Sequence, residues 1–268
     1  MIYQMKNKKP SPEEISELEP PFDIFELYAD LDLTKHIGSL KATKELIELC
    51  HINKGKYVLD VGCGVGATPC YIVKKHGCRV VGVDISEKMI DRSNERAKRK
   101  NVENRVEFRV ADAQNLPFED ALFDVVIGES VTVFLEDKRR AVGEYVRVTK
   151  PGGYVGLNET IWIKTPPPEL VEYLSRITGA KPETSDGWKG LLEGSGLRDI
   201  VVRTHKTNVL DELSRIKRYG LKDFLRVWYR FLSLYIASPA LRRLIKETLI
   251  TPKNLIKYTE YGIYVGRK

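Results

Sequence analysis

Five short runs rich in β-branched apolar residues recur along this chain: Tyr57–Val61, Arg79–Asp84, Val106–Val110, Phe123–Gly128 and Tyr154–Glu159. Near-continuous apolar strands are buried on both faces, as in a parallel sheet covered by helices on both sides. Between the runs, Thr68–Lys75, Ser86–Lys100 and Lys138–Val148 carry the helical period. Ser86 is a good N-cap, with Glu87 and Asp91 in the early turns. Pro151-Gly152-Gly153 stops the third helix and turns the chain into the fifth run. The expected class is α/β.

Past Glu159 the pattern loosens. Thr165-Pro166-Pro167-Pro168 reads as a stiff connector, Glu169–Thr178 and Gly187–Leu192 as helices, and Asp199–Lys206 and Lys257–Arg267 as a sixth and seventh strand. Ser39–Cys50 reads as a helix packed on the sheet. At 268 residues and 42% hydrophobic content, one packed domain over 1–268 is expected. It divides into an N-terminal helical cap (1–52), a core (53–160), the remainder of the sheet (161–206 and 257–268) and a helical insertion (207–256).

The formal charge of +7 is uneven: from Lys206 onward 14 Lys and Arg face 5 Asp and Glu, so the rest is close to neutral. No stretch approaches the ~18 apolar residues that span a bilayer, and Met1–Lys9 carries lysines with no apolar run behind them. A cytoplasmic protein is the expectation. Cys50, Cys63, Cys70 and Cys78 form no C-x-x-C pair and have no matching histidine pattern, so buried reduced thiols are expected and no metal site.

The chemistry concentrates in Val58-Leu59-Asp60-Val61-Gly62-Cys63-Gly64-Val65-Gly66. Glycines directly after a strand and before a helix permit a tight turn and close backbone approach to a ligand. The next strand ends in Asp84, 22 residues after Gly62, where a carboxylate can accept hydrogen bonds from ribose hydroxyls. A nucleoside-containing ligand follows. Its kind does not, since Gly62-x-Gly64-x-x-Ala67 also satisfies the dinucleotide fingerprint.

The segment VLDVGCGVG resembles motif I of the class I S-adenosylmethionine-dependent methyltransferases. VVGVDIS with Asp84 resembles motif II, and Val110-Ala111-Asp112-Ala113 with Leu116-Pro117-Phe118 resembles motif III. Phe123-Asp124-Val125-Val126 and Lys150-Pro151-Gly152-Gly153 complete the series over roughly residues 55 to 160. The nearest look is to ubiquinone/menaquinone, tocopherol and sterol methyltransferases.

The resemblance implies a seven-stranded Rossmann-like sheet with helices on both faces and helical lid additions. It also implies S-adenosylmethionine as methyl donor and S-adenosylhomocysteine as product. Gly62, Cys63 and Gly64 would adjoin the amino-acid half of the cofactor, with Asp60 orienting the loop or meeting the methionine ammonium. Asp84 would hold the ribose with Ile85 beside it, and Asp112 with Ala113 would meet the adenine. A nicotinamide-dependent oxidoreductase is the rival reading; it gives Asp112 no role and lacks a hydride-relay residue.

Acceptor chemistry belongs at the ends of the fourth and fifth strands. Glu129 is a candidate for the methionine ammonium or the acceptor, Glu159 for catalysis, and His36, ahead of the first packed helix, for a base. No Asn- or Asp-Pro-Pro-aromatic tetrad follows the fourth strand and no cysteine lies beyond residue 78, which disfavours nucleic-acid bases. A small, apolar or lipid-like acceptor is expected.

The 207–256 insertion should lie over the acceptor site as a lid. Phe224, Leu225, Trp228, Phe231, Leu232 and Tyr235 share one helical face, with Lys222, Arg226, Arg230 and Ser233 on the other and Arg242 and Arg243 beyond. Through 222–246 this segment fits a peripheral membrane contact. The alternative is a protein or RNA methyltransferase that docks its target there.

Overall fold

A computed structural model of the protein describes residues 24–32, 36–206, 221–239, 241, 242 and 255–268. Helix α1 (Ile24–Leu31) and α2 (Ser39–Leu49) precede the first strand. The body then runs β1 (Tyr57–Val61), α3 (Ala67–His76), β2 (Arg79–Asp84), α4 (Glu87–Lys100), β3 (Val106–Val110), β4 (Phe123–Glu129), α5 (Lys138–Val148) and β5 (Thr149–Trp162). It continues with α6 (Pro168–Thr178), the two-residue β6 (Glu183–Thr184), α7 (Ser185–Gly194), β7 (Arg198–His205), α8 (Leu221–Ala237) and β8 (Thr259–Arg267). A short 3-10 turn, Thr132–Phe134, follows β4.

The strands form one sheet in the order β3-β2-β1-β4-β5-β8-β7, with β6 beside β5. Strands β1 to β5 pair in parallel, and β8 runs antiparallel between β5 and β7. The Rossmann-like sheet is therefore as the resemblance implies, enlarged by the small β6. The order reverses between β1 and β4, so a crevice opens at their carboxyl ends, where open α/β sheets bind ligands.

Alternation along each strand divides the interior in two. Leu59, Val61, Val126 and Leu157 face a core closed by Tyr145 of α5 and Trp188 of α7. Val58, Val80, Val125 and Ile263 face the other, closed by Leu46 of α2, Ile72 of α3 and Ile90 of α4. All four cysteines are buried and free.

One expectation needs correction. The fifth strand begins at Thr149 rather than Tyr154, because Thr149 pairs with Phe123 and the Pro151–Gly153 segment is absorbed as an irregularity in the ladder. Helix α8 packs through Phe231 and Leu234, with Leu241 beyond it, on Leu27 and Leu31 of α1. Those two leucines form an apolar face that needs a cover, and α8 supplies it. Arg243 and the side chains of Lys222, Phe224, Leu225 and Arg226 lie outside the described residues.

Candidate active site

Three backbone features shape the crevice. Gly62, Gly64 and Gly66 adopt left-handed conformations (φ +67°, +52° and +74°) that carry the chain sharply from β1 into α3. A Cβ on Gly62 would collide with Val131, whereas a Cβ on Gly64 would meet nothing within 4 Å and would project into open cavity space. The loop is pinned by Asp84: Gly64 N–H donates to Oδ2 at 2.9 Å and Ser86 N–H to Oδ1 at 3.0 Å.

Around this loop lies a cavity of about 730 Å³, within the range that takes drug-sized ligands. All nine residues singled out for the cofactor, Asp60, Gly62, Cys63, Gly64, Asp84, Ile85, Asp112, Ala113 and Glu129, line it, and so does His36. Ile85 is 74% exposed in that wall, an apolar surface offered to a ring. Asp112 is exposed, with Oδ1 accepting from Gln114 N–H at 2.8 Å.

The carboxylates are strongly coupled to their burial. Desolvation pushes the Asp60 carboxyl well above its usual range, and the charges of Glu129 and Asp84 push the same way. Burial also raises Asp84, while the N–H groups of Ser86 and Gly64 hold it partly down. A cationic guest would relieve this crowding of negative charge, and a sulfonium is such a guest. Together with the open space at Gly64 and the bare face of Ile85, the residues fit S-adenosylmethionine.

Glu129 ends β4 with its carboxylate nearly enclosed. Thr68 donates to Oε1 at 2.9 Å, Thr43 to Oε2 at 3.0 Å and Asn158 Nδ2 to Oε2 at 3.4 Å. His36 Nδ1 lies 3.6 Å from Oε2 and 3.5 Å from its neighbour's carbonyl, Ile37 O. Thr43 and Thr68 escaped the sequence reading. For Thr43 the available signal was a hydroxyl on the buried face of α2, among Ala42, Leu46 and Ile47.

Glu159 is elsewhere. It is fully buried and is not among the residues that line the cavity. Its Oε1 accepts N–H groups from Val131 at 3.2 Å and Thr132 at 2.8 Å, and burial raises its pKa to about 8 despite these bonds. It anchors the turn after β4 from beneath. That turn begins with Ser130 in a left-handed conformation (φ +57°), whose Oγ accepts Ile37 N–H at 3.0 Å. Asn158 donates to Ile37 O at 2.8 Å, so β4 and β5 together hold the segment carrying His36.

Two aromatic residues complete the wall. Phe25 and Tyr28 of α1 line the cavity, and Phe25 meets Phe134 of the turn edge to face at 5.1 Å. Nothing local in the sequence marks α1 as part of the site. Among the described residues no cluster of three or more His, Cys, Asp or Glu side chains is suited to a metal ion.

Comparison with known proteins bears on this geometry. Residues 59–157 match the family model described as a methyltransferase domain. An uncharacterized protein of Haemophilus influenzae is 30% identical over 194 residues, 71% of this chain and 77% of that protein. Phosphoethanolamine N-methyltransferase 1 of Arabidopsis thaliana is 31% identical over 179 residues, 66% of this chain but only 36% of the relative. The chain thus spans little more than a third of that longer enzyme. Phosphoethanolamine N-methyltransferase 2 of Haemonchus contortus, solved with phosphomonomethylethanolamine and S-adenosylhomocysteine, superposes with a TM-score of 0.69. Its identity is 20%, over 91% of this chain and 57% of that one, a likeness of fold. The matched segment contains the glycine loop, Asp84, Asp112 and Glu129, so S-adenosylmethionine is the methyl donor and the chain belongs to the class I S-adenosylmethionine-dependent methyltransferases.

Proposed function

We propose that the protein methylates a small acceptor with an apolar body, using His36 as base and Glu129 to orient it. One observation carries this reading: the same cavity is bounded by the cofactor loop, by the His36–Glu129 pair and by the aromatic wall of Phe25, Tyr28 and Phe134. S-adenosylmethionine supplies, when bound, a methyl carbon that the acceptor's lone pair attacks while the carbon–sulfur electron pair returns to sulfur.

The chain's own task is to align the acceptor, exclude water and take a proton. Nδ1 of His36 faces two acceptors, the Ile37 carbonyl and the Glu129 carboxylate, so it carries the hydrogen and Nε2 is the basic nitrogen. Glu129 already receives Thr43, Thr68 and Asn158, which nearly fills its acceptor sites and favours orienting His36 over gripping the cofactor ammonium. Glu159 acts one layer below, as a positioning residue for the turn.

The test pairs His36→Asn and Glu129→Gln. Methyl transfer from radiolabelled donor to a panel of prenylated quinols and long-chain amines should fall about 100-fold in each, with S-adenosylhomocysteine affinity unchanged. A matching loss of S-adenosylhomocysteine affinity in Glu129→Gln would return that residue to the ammonium. Full turnover in His36→Asn would remove the base.

An apolar acceptor has to be delivered, and α8 suits an anionic lipid surface. Trp228, Tyr229, Leu232, Tyr235 and Ile236 recur at helical spacing and are exposed, and residues 222–246 hold six Lys and Arg against one acid. Among the described residues no helix is long and apolar enough to cross a membrane, so the contact would be peripheral. Of the three tryptophans, Trp162 and Trp188 are buried, which makes Trp228 a local reporter. Its emission should shift to the blue with phosphatidylglycerol vesicles and stay fixed with phosphatidylcholine alone. A shift induced by RNA but not by vesicles would favour the docking alternative.

A further inference from the structure

Helix α4 presents four cations along one stripe, Lys88, Arg92, Arg96 and Arg99, and all four reach α1 or the residue that ends it. Lys88 pairs with Asp30 at 2.7 Å and Glu26 at 3.2 Å, and Arg92 donates to Ala29 O at 3.2 Å. Arg96 pairs with Asp32 Oδ1 at 2.6 Å and also donates to Asp32 O at 3.1 Å, and Arg99 takes Asp32 Oδ2 at 2.7 Å. Asp32 is held with φ +55°, a conformation that a non-glycine residue adopts at a cost.

Of these cations, Arg96 has a second attachment. Its Nε donates to Val65 O, inside the glycine loop, at 2.7 Å. It is buried, whereas the Lys88 and Arg99 pairs are partly solvated and correspondingly weak. A second link runs beside it: Val65 and Ala29, both fully buried, pack together with Met89 and the half-buried Tyr28. Met89 and Tyr28 in turn line the cavity. The loop that receives the cofactor and the helix that walls the acceptor space therefore share one guanidinium and one apolar contact.

We infer that Arg96 is a positioning residue that couples occupancy of the glycine loop to closure of α1. Whatever immobilises Val65 removes part of the cost of ordering Asp32 and Ala29 against it. By reciprocity, a closed α1 strengthens cofactor binding by the same factor. The geometry needs the planar fork of arginine, because Nε and Nη2 point to separate partners; a lysine ammonium is a single point charge. The inference rests on cofactor binding at the glycine loop but not on the identity of the acceptor or on His36.

Amide hydrogen exchange on the full chain, with and without saturating S-adenosylhomocysteine, tests it. In the unmodified protein the ligand should slow exchange both in residues 62–66 and in 24–32. In Arg96→Lys, protection of 62–66 should persist while that of 24–32 is lost, with the dissociation constant raised about tenfold. Arg99→Lys, which touches Asp32 but not the loop, should keep the linkage. Should Arg96→Lys fail to fold, Asp32→Ala removes the carboxylate on the α1 side, leaves the Val65 bond in place and should weaken protection of 24–32 in the same direction. Ligand-dependent protection of 24–32 that survives in full in Arg96→Lys or Asp32→Ala would overturn the inference, as would equal loss in Arg99→Lys. Absence of protection at 62–66 in the unmodified protein would instead mean that the loop is not the cofactor site.

Discussion

The floor and the roof of the cavity are built by different means. The floor is made of strand ends and one loop: Asp60, the glycines and Asp84 lie within 25 residues of one another, and the Asp84 carboxylate is held by backbone N–H groups. The roof is assembled from distant pieces: α1 on α4, Ile37 on Ser130 and Asn158, and Glu159 beneath the 130–134 turn. Short-range backbone chemistry suits a constant ligand, whereas side-chain contacts between remote segments can be exchanged without disturbing the sheet. Floor and roof can then change at different rates within one cavity.

The sharpest way to break this separation is at Gly62, whose missing Cβ faces the roof residue Val131. Gly62→Ala combines left-handed strain with an overpacked contact, together on the order of 3 kcal/mol. S-adenosylhomocysteine affinity should fall roughly 100-fold by calorimetric titration. A loss below about threefold would mean that loop and turn adjust independently.

Leu27→Ala sharpens the comparison from the other side. Leu27 lies in the small cluster that joins α1 to α8, apart from the two main cores. Truncating a buried leucine costs about 2–5 kcal/mol, but here the loss should be confined to the roof. Exchange in residues 24–32 should accelerate while β1 and β4 keep their protection. Equal acceleration in the strands would show that roof and floor unfold as one unit.

The mildest effect is expected at Glu159. Its carboxyl titrates at about 8 in the folded state, against a usual value of 4.5. Between those values the folded protein holds more protons than the unfolded chain, so stability falls as pH rises through that window. Glu159→Gln keeps an oxygen for the Val131 and Thr132 N–H groups and removes the titration. Its unfolding midpoint should match the parent near pH 5 and exceed it by a few degrees near pH 9. A constant difference across that range would place the buried proton elsewhere.

The same division decided what could be read in advance. Strands β1 to β4 and helices α3 to α5 begin and end within about two residues of the sequence reading, because period and capping are local. The nine residues singled out for the cofactor converge on one cavity because a motif at a strand end has its position set by the sheet. Glu159 shows the limit. A carboxylate closing the fifth apolar run looks catalytic in sequence, and only the packing of the 130–134 turn gives it N–H partners away from the cavity. Thr43, Arg96 and Phe25 were illegible for a related reason: their partners lie between 31 and 109 residues away.

Strand β8 follows β7 after residues 206–258 yet pairs with β5 on one side and β7 on the other. Chain entropy treats so long a connection leniently, because closure cost grows with the logarithm of length. Stretching a five-residue hairpin turn about tenfold adds only about 2 kcal/mol, less than a single well-buried leucine contributes. The antiparallel edge is thus a place where residues can be added or removed at little thermodynamic penalty. The helix emerging from it packs on α1, so a length change there reaches α1's side of the cavity while β1 and its glycine loop stay as they are.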